Sequence, residues 1–206
     1  ATVYDTAPLQ PLMAVLDESV VGKNETSRRI VADHARAALM IAADGVEPAN
    51  TERGYVLRRL IRRAAVHARR LEARDGLWTG FIAPLLRLYE GPYPELAVRL
   101  PAALDGIEQE VDHFSTTLEK GLKRFERVAE RSADVIEGEA AFDLQATYGF
   151  PVEMTRELAT ERGLFLDEVG YEAARQRHRL ESRQGSEKRF AGGLADHSAQ
   201  ATRYHT

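Results

Sequence analysis

A repeat of apolar positions in the second half of the chain sets the strongest limit on its fold. Between residues 107 and 128 the steps alternate between four and three residues, through Ile107, Val111, Phe114, Leu118, Gly121, Phe125 and Val128. This 3.5-residue spacing, held for three heptads, predicts one long helix packed along other helices. We expect it to extend from Ala103 to about Ala133. Gly121 weakens the seam of a self-associating coiled coil, so an internal strut is the favoured interpretation.

Helical patterns also fill most of the remaining chain. Amphipathic segments are predicted near residues 9–16, 26–45, 51–71, 82–89 and 152–163, with a helix of mixed charge after residue 166. Thr26 or Ser27 is the expected N-cap of the second segment, and Asn50 or Thr51 that of the third. The predicted fold class is mainly α, a multi-helix bundle with one long heptad-patterned helix and a short irregular C-terminal segment. We place a helical domain at residues 1–185 and a linker at 186–206, where glycines interrupt the pattern.

The composition removes several classes of protein. The chain has no cysteine, which excludes disulfides and thiolate metal sites. No apolar run approaches the roughly 20 residues that cross a bilayer, and the N-terminus lacks the basic-then-apolar order of a secretory signal. We therefore expect no membrane partner and a cytoplasmic location. No glycine-rich phosphate loop or catalytic triad occurs in the sequence, so neither catalytic residues nor a cofactor are predicted in this chain.

A run of arginines lies between Arg53 and Arg70, which encloses seven arginines and no acidic residue. The whole chain has a formal net charge of −4, so affinity for an anion must come from such local charge. At about 100° per residue, six of the arginines and Tyr55 share little more than a third of the helix circumference, and the remaining arc is almost entirely apolar. We call these six the arginine face: Arg58, Arg62 and Arg69 in one sector, Arg59, Arg63 and Arg70 in the next.

The arginine face favours binding to nucleic acid. Exposed helices normally mix Glu and Lys with Arg, whereas this face uses Arg alone, whose fork fits phosphate in a bidentate manner. Two other interpretations stay open. In a non-binding helical scaffold, the arginines would pair with an acidic protein or with the acidic face of the chain's own long helix. In a DNA-binding helix-turn-helix, the connecting loop would be longer than the usual 3–4 residues, so DNA is not the expected partner.

Several blocks of sequence resemble the alanyl-tRNA synthetase family, and they occur in the order found in that family. The blocks are RIVADHARAALMIAADGVEPANTERGYVLRRLIRRAAVHARRL, TTLEKGLKRFE, ATYGFPVEMT and GGLADHSAQATRYHT, with YDTAPLQPLM before them. Together they span nearly the whole chain. The resemblance implies a middle fragment of a modular class II enzyme, with its catalytic and editing domains elsewhere on the same polypeptide. ATP, Mg²⁺ and zinc are implied for the full-length enzyme, and His205 would begin the editing domain's zinc pattern.

The resemblance also implies a binding site for RNA. The family selects its tRNA by one G·U wobble pair in the acceptor stem, read by an asparagine and an aspartate with support from arginines. The asparagine maps onto Asn50, for which capping of the next helix is an equally adequate role on physical grounds. The supporting arginines map onto Arg58, Arg59, Arg62 and Arg63, and the predicted tRNA-binding set is completed by Arg69, Arg70 and Tyr55.

One position departs from the family pattern. Ala146 stands where the family has the aspartate, and a methyl group accepts no hydrogen bond. Asp143 or Gln145 could substitute, the enzyme could rely on Asn50, or discrimination of the wobble pair could be weaker; the residues alone leave these alternatives open. Two histidines are further candidates. His34 is expected to be packed among apolar neighbours, and His67 to lie beside the arginine face, exposed or in reach of a phosphate.

Overall fold

The computed structural model describes the backbone of residues 2–195 and the side chains of residues 2–182. Helices dominate this part of the chain, which confirms the mainly α prediction. After a short 3-10 helix at Val3–Asp5, the α-helices are α1 (Gln10–Ser19), α2 (Glu25–Ala43), α3 (Glu52–Arg70), α4 (Leu77–Tyr89), α5 (Leu96–Arg131), α6 (Gly138–Tyr148), α7 (Val152–Glu161) and α8 (Glu168–Ala195). Two short parallel strands, β1 (Val135–Ile136) and β2 (Phe165–Leu166), flank α6 and α7. None of the described helices has both the length and the apolarity to cross a membrane.

The long helix α5 has the predicted heptad seam. Ile107, Phe114, Leu118 and Phe125 are buried along it, as the repeat requires. The helix begins at Leu96, earlier than the predicted Ala103, because Pro101 lies within its second turn instead of marking its start. A proline near a helix N-terminus removes only one intrahelical hydrogen bond.

The side chains of α5 contribute to two hydrophobic cores. Its first half packs with α1 to α4, and its second half packs with α6, α7, the two strands and the start of α8. Gly121 has a specific purpose in the second core, since a Cβ there would lie 3.0 Å from the Phe150 ring and 3.2 Å from the Cβ of Tyr148. The small residue therefore lets the turn between α6 and α7 approach α5.

One of the two predicted helix caps is wrong, and the other is confirmed at Thr51. The N-cap of α2 is Asn24, whose Oδ1 accepts a hydrogen bond from the backbone N–H of Ser27 at 2.8 Å, so neither Thr26 nor Ser27 has that role. Thr51 occupies the N-cap position of α3 but makes no capping bond with its side chain, and Asn50 lies one residue before this N-cap. The side chain of Asn50 is therefore not used as a cap.

The last described helix crosses the predicted domain boundary. α8 continues past residue 185 as far as Ala195, so the sequence around Gly192 and Gly193 did not end the helix where its composition suggested. The division into residues 1–185 and 186–206 stays a prediction. His205 lies outside the described residues.

Candidate functional site

The loop before α3 places Asn50 at the protein surface. This loop packs against the first turn of α3, where Ala49 donates its N–H to the carbonyl oxygen of Gly54 at 3.1 Å. A Cβ on Gly54 would lie only 2.5 Å from the carbonyl oxygen of Glu47, so glycine is required for this close approach. Glu52 has a φ of 52°, a left-handed conformation that is unusual for a residue with a side chain. The loop is thus held tightly beside Asn50.

The two sectors of the arginine face contact two different helices. Arg58 and Arg62 pair with Glu110 of α5 at 3.1 and 2.7 Å, and Arg69 pairs with Glu119 of α5 at 2.5 Å. The other sector faces three glutamates of α7 at steps of four residues: Arg59 with Glu153 at 2.8 Å, Arg63 with Glu157 at 3.5 Å and Arg70 with Glu161 at 3.0 Å. The face predicted to be basic is therefore largely neutralised within the chain. The pairing with the acidic face of the chain's own long helix, left open above, is present in the structure, whereas RNA contact by these arginines stays a prediction.

Glu110 is the central acid of this arrangement. Its side chain is only 7% exposed, and its two oxygens accept hydrogen bonds from Arg58 and Arg62. Arg62 also donates from Nη1 to the carbonyl oxygen of Gly149 at 2.9 Å, and its guanidinium lies 5.0 Å from the centre of the Phe114 ring. A buried carboxylate with two guanidinium partners holds both arginines in fixed orientations.

A cleft of about 690 Å³ lies between the start of α3, the end of α6 and the exposed side of α8. It contains most of the residues predicted to bind tRNA, together with the position that departs from the family. Its lining includes Asn50, Tyr55, Arg58, Arg59, Arg62, Gln145, Ala146, Gly149, Arg175, His178 and Arg179. Arg63, Arg69 and Arg70 lie further along α3 and are not part of it. The structure thus brings Asn50 and Ala146 together, although the two segments are distant in sequence.

The contribution of α8 to the cleft was not predicted from the sequence. Arg175, His178 and Arg179 line it, and the ring of His178 lies 5.3 Å from the ring of Phe142. A signal existed, because the stretch from Arg175 to Arg179 carries three arginines and one histidine without an acid. The mixed charge of the whole helix obscured it.

The structure shows which neighbour of Ala146 could replace the aspartate that the family has at this position. Asp143 does not line the cleft: its oxygens accept hydrogen bonds from Arg124 at 3.2 Å and from Thr147 at 2.9 Å. It is therefore not placed to replace the missing carboxylate. Gln145 does line the cleft, and its Oε1 accepts a hydrogen bond from the hydroxyl of Tyr171 at 2.5 Å.

The prediction that His67 is exposed beside the arginine face is wrong. Its side chain is 1% exposed, with Nδ1 3.1 Å from the Ser27 hydroxyl and Nε2 3.2 Å from Oε2 of Glu157. The hydrogen bond from His67 holds the pKa of Glu157 below its ordinary value. His34 is mostly buried, as expected, and burial followed by the charge of Arg63 lowers its pKa. These residues join α2, α3 and α7, and the buried ring of His67 is inaccessible to a ligand.

The described residues hold no group of three His, Cys, Asp or Glu side chains positioned to bind a metal ion. What the cleft offers is hydrogen-bonding and cationic chemistry: guanidinium groups from two helices, an imidazole and two carboxamides. Such a surface is complementary to a phosphate-bearing or otherwise anionic partner.

Comparison with known proteins identifies the family of this chain. The family model described as tRNA synthetases class II (A) matches residues 1–205. The chain therefore belongs to the alanyl-tRNA synthetase family of the class II tRNA synthetases, and the resemblance read from the sequence is confirmed.

The individual relatives are alanine–tRNA ligases. The chain is 40% identical to the alanine–tRNA ligase of Treponema pallidum (strain Nichols), in an alignment that covers 100% of the chain and 36% of the relative. It is 43% identical to the alanine–tRNA ligases of Xanthomonas axonopodis pv. citri (strain 306) and Xanthomonas oryzae pv. oryzae (strain PXO99A), over 82% of the chain and 19% of each relative. The chain thus spans between about a fifth and a third of the length of these relatives.

Proposed function

We propose that this chain is the tRNA-binding portion of an alanine–tRNA ligase, that its cleft holds the acceptor stem of alanine tRNA, and that it helps to recognise the G·U wobble pair. The observation that carries the proposal is the meeting of Asn50, three arginines of α3 and the Ala146 position in one cleft. These are the positions that the resemblance assigns to RNA recognition. The resemblance assigns each of these positions from sequence motifs alone, so their meeting in one cleft supports the proposal independently.

The chemistry of the cleft suits the edge of a helical RNA stem. Cations line the same cleft as the carboxamide of Asn50: Arg58, Arg59 and Arg62 come from α3, and Arg175 and Arg179 come from α8. Contacts from arginines to phosphates would set the register of the stem, and a carboxamide would reach base edges in the wide, shallow minor groove.

The internal ion pairs do not prevent such contacts. A guanidinium has five N–H donors, and a single carboxylate uses one or two of them. Arg59 keeps 43% of its side chain exposed while it is paired with Glu153, so a phosphate can approach the same group. The glutamates would then act as positioning groups that hold the arginines ready, which reduces the entropy lost on binding.

The chemical steps of the ligase belong, in this proposal, to other parts of the polypeptide. We assign ATP and Mg²⁺ to the catalytic domain and zinc to the editing domain, and we propose that both domains are partners of this region in a cytoplasmic enzyme. The role of this region is to position the acceptor stem, with no bond made or broken by its own residues.

The structure also gives weight to a second function, that of a helical scaffold that does not bind RNA. All six members of the arginine face pair with glutamates of α5 or α7, which is what a purely structural face would show. Binding measurements separate the two functions, because neutralisation of phosphates makes log K fall with log salt by about 0.7–0.9 per contact.

The decisive experiment is fluorescence-anisotropy binding of the 206-residue chain to a minihelix with the acceptor-stem sequence of alanine tRNA. The stem carries either the G·U pair or a G·C pair, and each is titrated over a range of salt. Salt-dependent binding with a preference for G·U supports the proposal. Salt-dependent binding without that preference reduces the function to a grip on phosphates, and absence of binding at low salt favours the scaffold.

A further inference from the structure

Gln145 lies in the last turn of α6, beside Ala146, and lines the cleft. Its carbonyl oxygen is already engaged: Oε1 accepts a hydrogen bond from the Tyr171 hydroxyl at 2.5 Å. Tyr171 comes from the first turn of α8 and is 7% exposed, so its ring is fixed in the second core. This contact determines how the amide of Gln145 is oriented.

In this hydrogen bond the Tyr171 hydroxyl is the donor and Oε1 of Gln145 is the acceptor. Burial, followed by the proximity of Tyr55, raises the pKa of Tyr171 to about 12, so the hydroxyl keeps the proton that it donates. The oxygen of Gln145 is then the acceptor, and the two hydrogens of its NH2 group point away from Tyr171.

The amide of Asn50 is oriented in the same way, with its oxygen engaged in a hydrogen bond. Its Oδ1 accepts a hydrogen bond from Nη1 of Arg58, and Arg58 is fixed in turn by Glu110. Among the described residues, neither carboxamide NH2 group donates a hydrogen bond within the chain. Two amides thus enter one cleft with their oxygens engaged and their donors available.

We propose that Gln145 is a specificity-determining residue of this cleft, and that with Asn50 it makes the cleft donate hydrogen bonds to acceptor atoms of the bound stem instead of accepting one from a guanine amino group. This inference rests on the proposed function and names the atoms that the site reads. A carboxylate at position 146 would accept a hydrogen bond from an amino group, and Ala146 cannot. The neighbouring side chain of Gln145 instead offers a hydrogen-bond donor.

The minor-groove edge of a G·U pair offers both kinds of group. The guanine amino group is a donor, whereas guanine N3, uracil O2 and the ribose hydroxyl oxygens are acceptors. A cleft whose two carboxamides present their donors would therefore depend mainly on the acceptors and tolerate loss of the amino group. This differs from readout of the amino group by a carboxylate.

Modified minihelices test the inference directly. Inosine in place of the guanosine removes only the amino donor, 3-deazaguanosine removes the N3 acceptor, and 2-thiouridine weakens the O2 acceptor. We expect inosine to leave the affinity of the 206-residue chain nearly unchanged. At least one of the acceptor changes should weaken binding by about tenfold, the effect of one lost base contact.

Variants of the protein assign the effect to Gln145. Gln145→Met keeps the length of the side chain and removes its donors, so it should reduce the difference in affinity between unmodified and acceptor-deleted stems, leaving only the part that is due to Asn50. Gln176→Met, at an exposed position of α8 outside the cleft, is the matched control and should retain that difference. Tyr171→Phe releases the Gln145 oxygen and should reduce the tolerance for inosine, provided that circular dichroism shows the fold intact.

Three results would overturn the inference while leaving RNA binding in place. They are a loss of affinity with inosine alone, equal affinities for every modified stem, or an undiminished acceptor effect in Gln145→Met. A chain that binds no stem at any salt concentration would instead refute the proposed function, and this inference with it.

Discussion

The guanidinium of Arg62 joins two walls of the cleft. Nη1 of Arg62 donates to the carbonyl oxygen of Gly149 at 2.9 Å, and Nε donates to Oε1 of Glu110 at 2.8 Å. One side chain of α3 therefore fixes both the turn after α6 and its own position against α5. The contact thus ties the turn that follows Ala146 to the helix that follows Asn50.

We expect Gly149→Ala to destabilise the protein more than the same substitution at Gly163, another glycine with a positive φ. Gly149 has a φ of 65°, and a Cβ there would lie 1.9 Å from Nη1 of Arg62. Gly163 is the matched control, because its φ is 71° and a Cβ would meet no atom within 4 Å. Gly163→Ala should lower the free energy of unfolding by about 1 kcal/mol, the penalty of the left-handed conformation alone. Gly149→Ala should lower it by about 1 kcal/mol more, as measured by urea denaturation; equal losses would show that Arg62 moves aside freely.

Replacement of Glu110 tests how much the buried acid contributes to stability. In Glu110→Gln two partly buried arginines lose their charged partner, which should lower the free energy of unfolding by about 2–3 kcal/mol. In the control Glu119→Gln, both partners of the lost pair are more than half exposed, and the expected change is below about 1 kcal/mol. Urea unfolding at low and moderate salt measures both. Similar losses in the two variants would contradict the central role of Glu110.

The grouping of the arginines could be predicted from the sequence, and their partners could not. Helical periodicity determines which residues share a face, so Arg58, Arg62 and Arg69 were correctly placed in one sector and the other three in the next. Their partners come from distant elements: Arg59 and Glu153 are separated by 94 residues. The three glutamates of α7 can pair with the second sector only because α7 packs beside α3, and this tertiary contact is not visible in the sequence.

The errors at single residues have a common physical origin. His67 was expected beside the arginine face, exposed or in reach of a phosphate, but its ring nitrogens are satisfied by Ser27 and Glu157, which makes burial tolerable. The set of cleft residues predicted from the sequence was incomplete for a related reason. Its α8 wall depends on tertiary packing, and local composition does not show which face of a mixed-charge helix meets the rest of the protein.

Acidification should weaken the fold through His34. Burial, followed by the charge of Arg63, lowers the pKa of His34 from its ordinary value of 6.5, so the folded protein resists its protonation while the unfolded chain does not. The unfolded state then binds more protons below pH 6.5, and stability falls as the pH decreases through that window. Urea unfolding at pH 7.5 and 5.5 should show this loss, and His34→Asn should show a smaller one. An identical pH dependence in the variant would exclude His34 as its source.

The exposed wall of the cleft provides the clearest test of contact with phosphates. Arg179 lines the cleft, whereas Arg177, on the same helix, is outside it and pairs with Glu139 at 2.5 Å. Arg179→Gln should weaken binding of both the G·U and the G·C minihelix to a similar extent, because a phosphate contact carries no base identity. It should also reduce the slope of log K against log salt by about 0.7–0.9, the contribution of one contact. Arg177→Gln removes the same charge from the chain and should leave that slope unchanged. A similar reduction in both variants would mean that the RNA senses only the overall charge of α8.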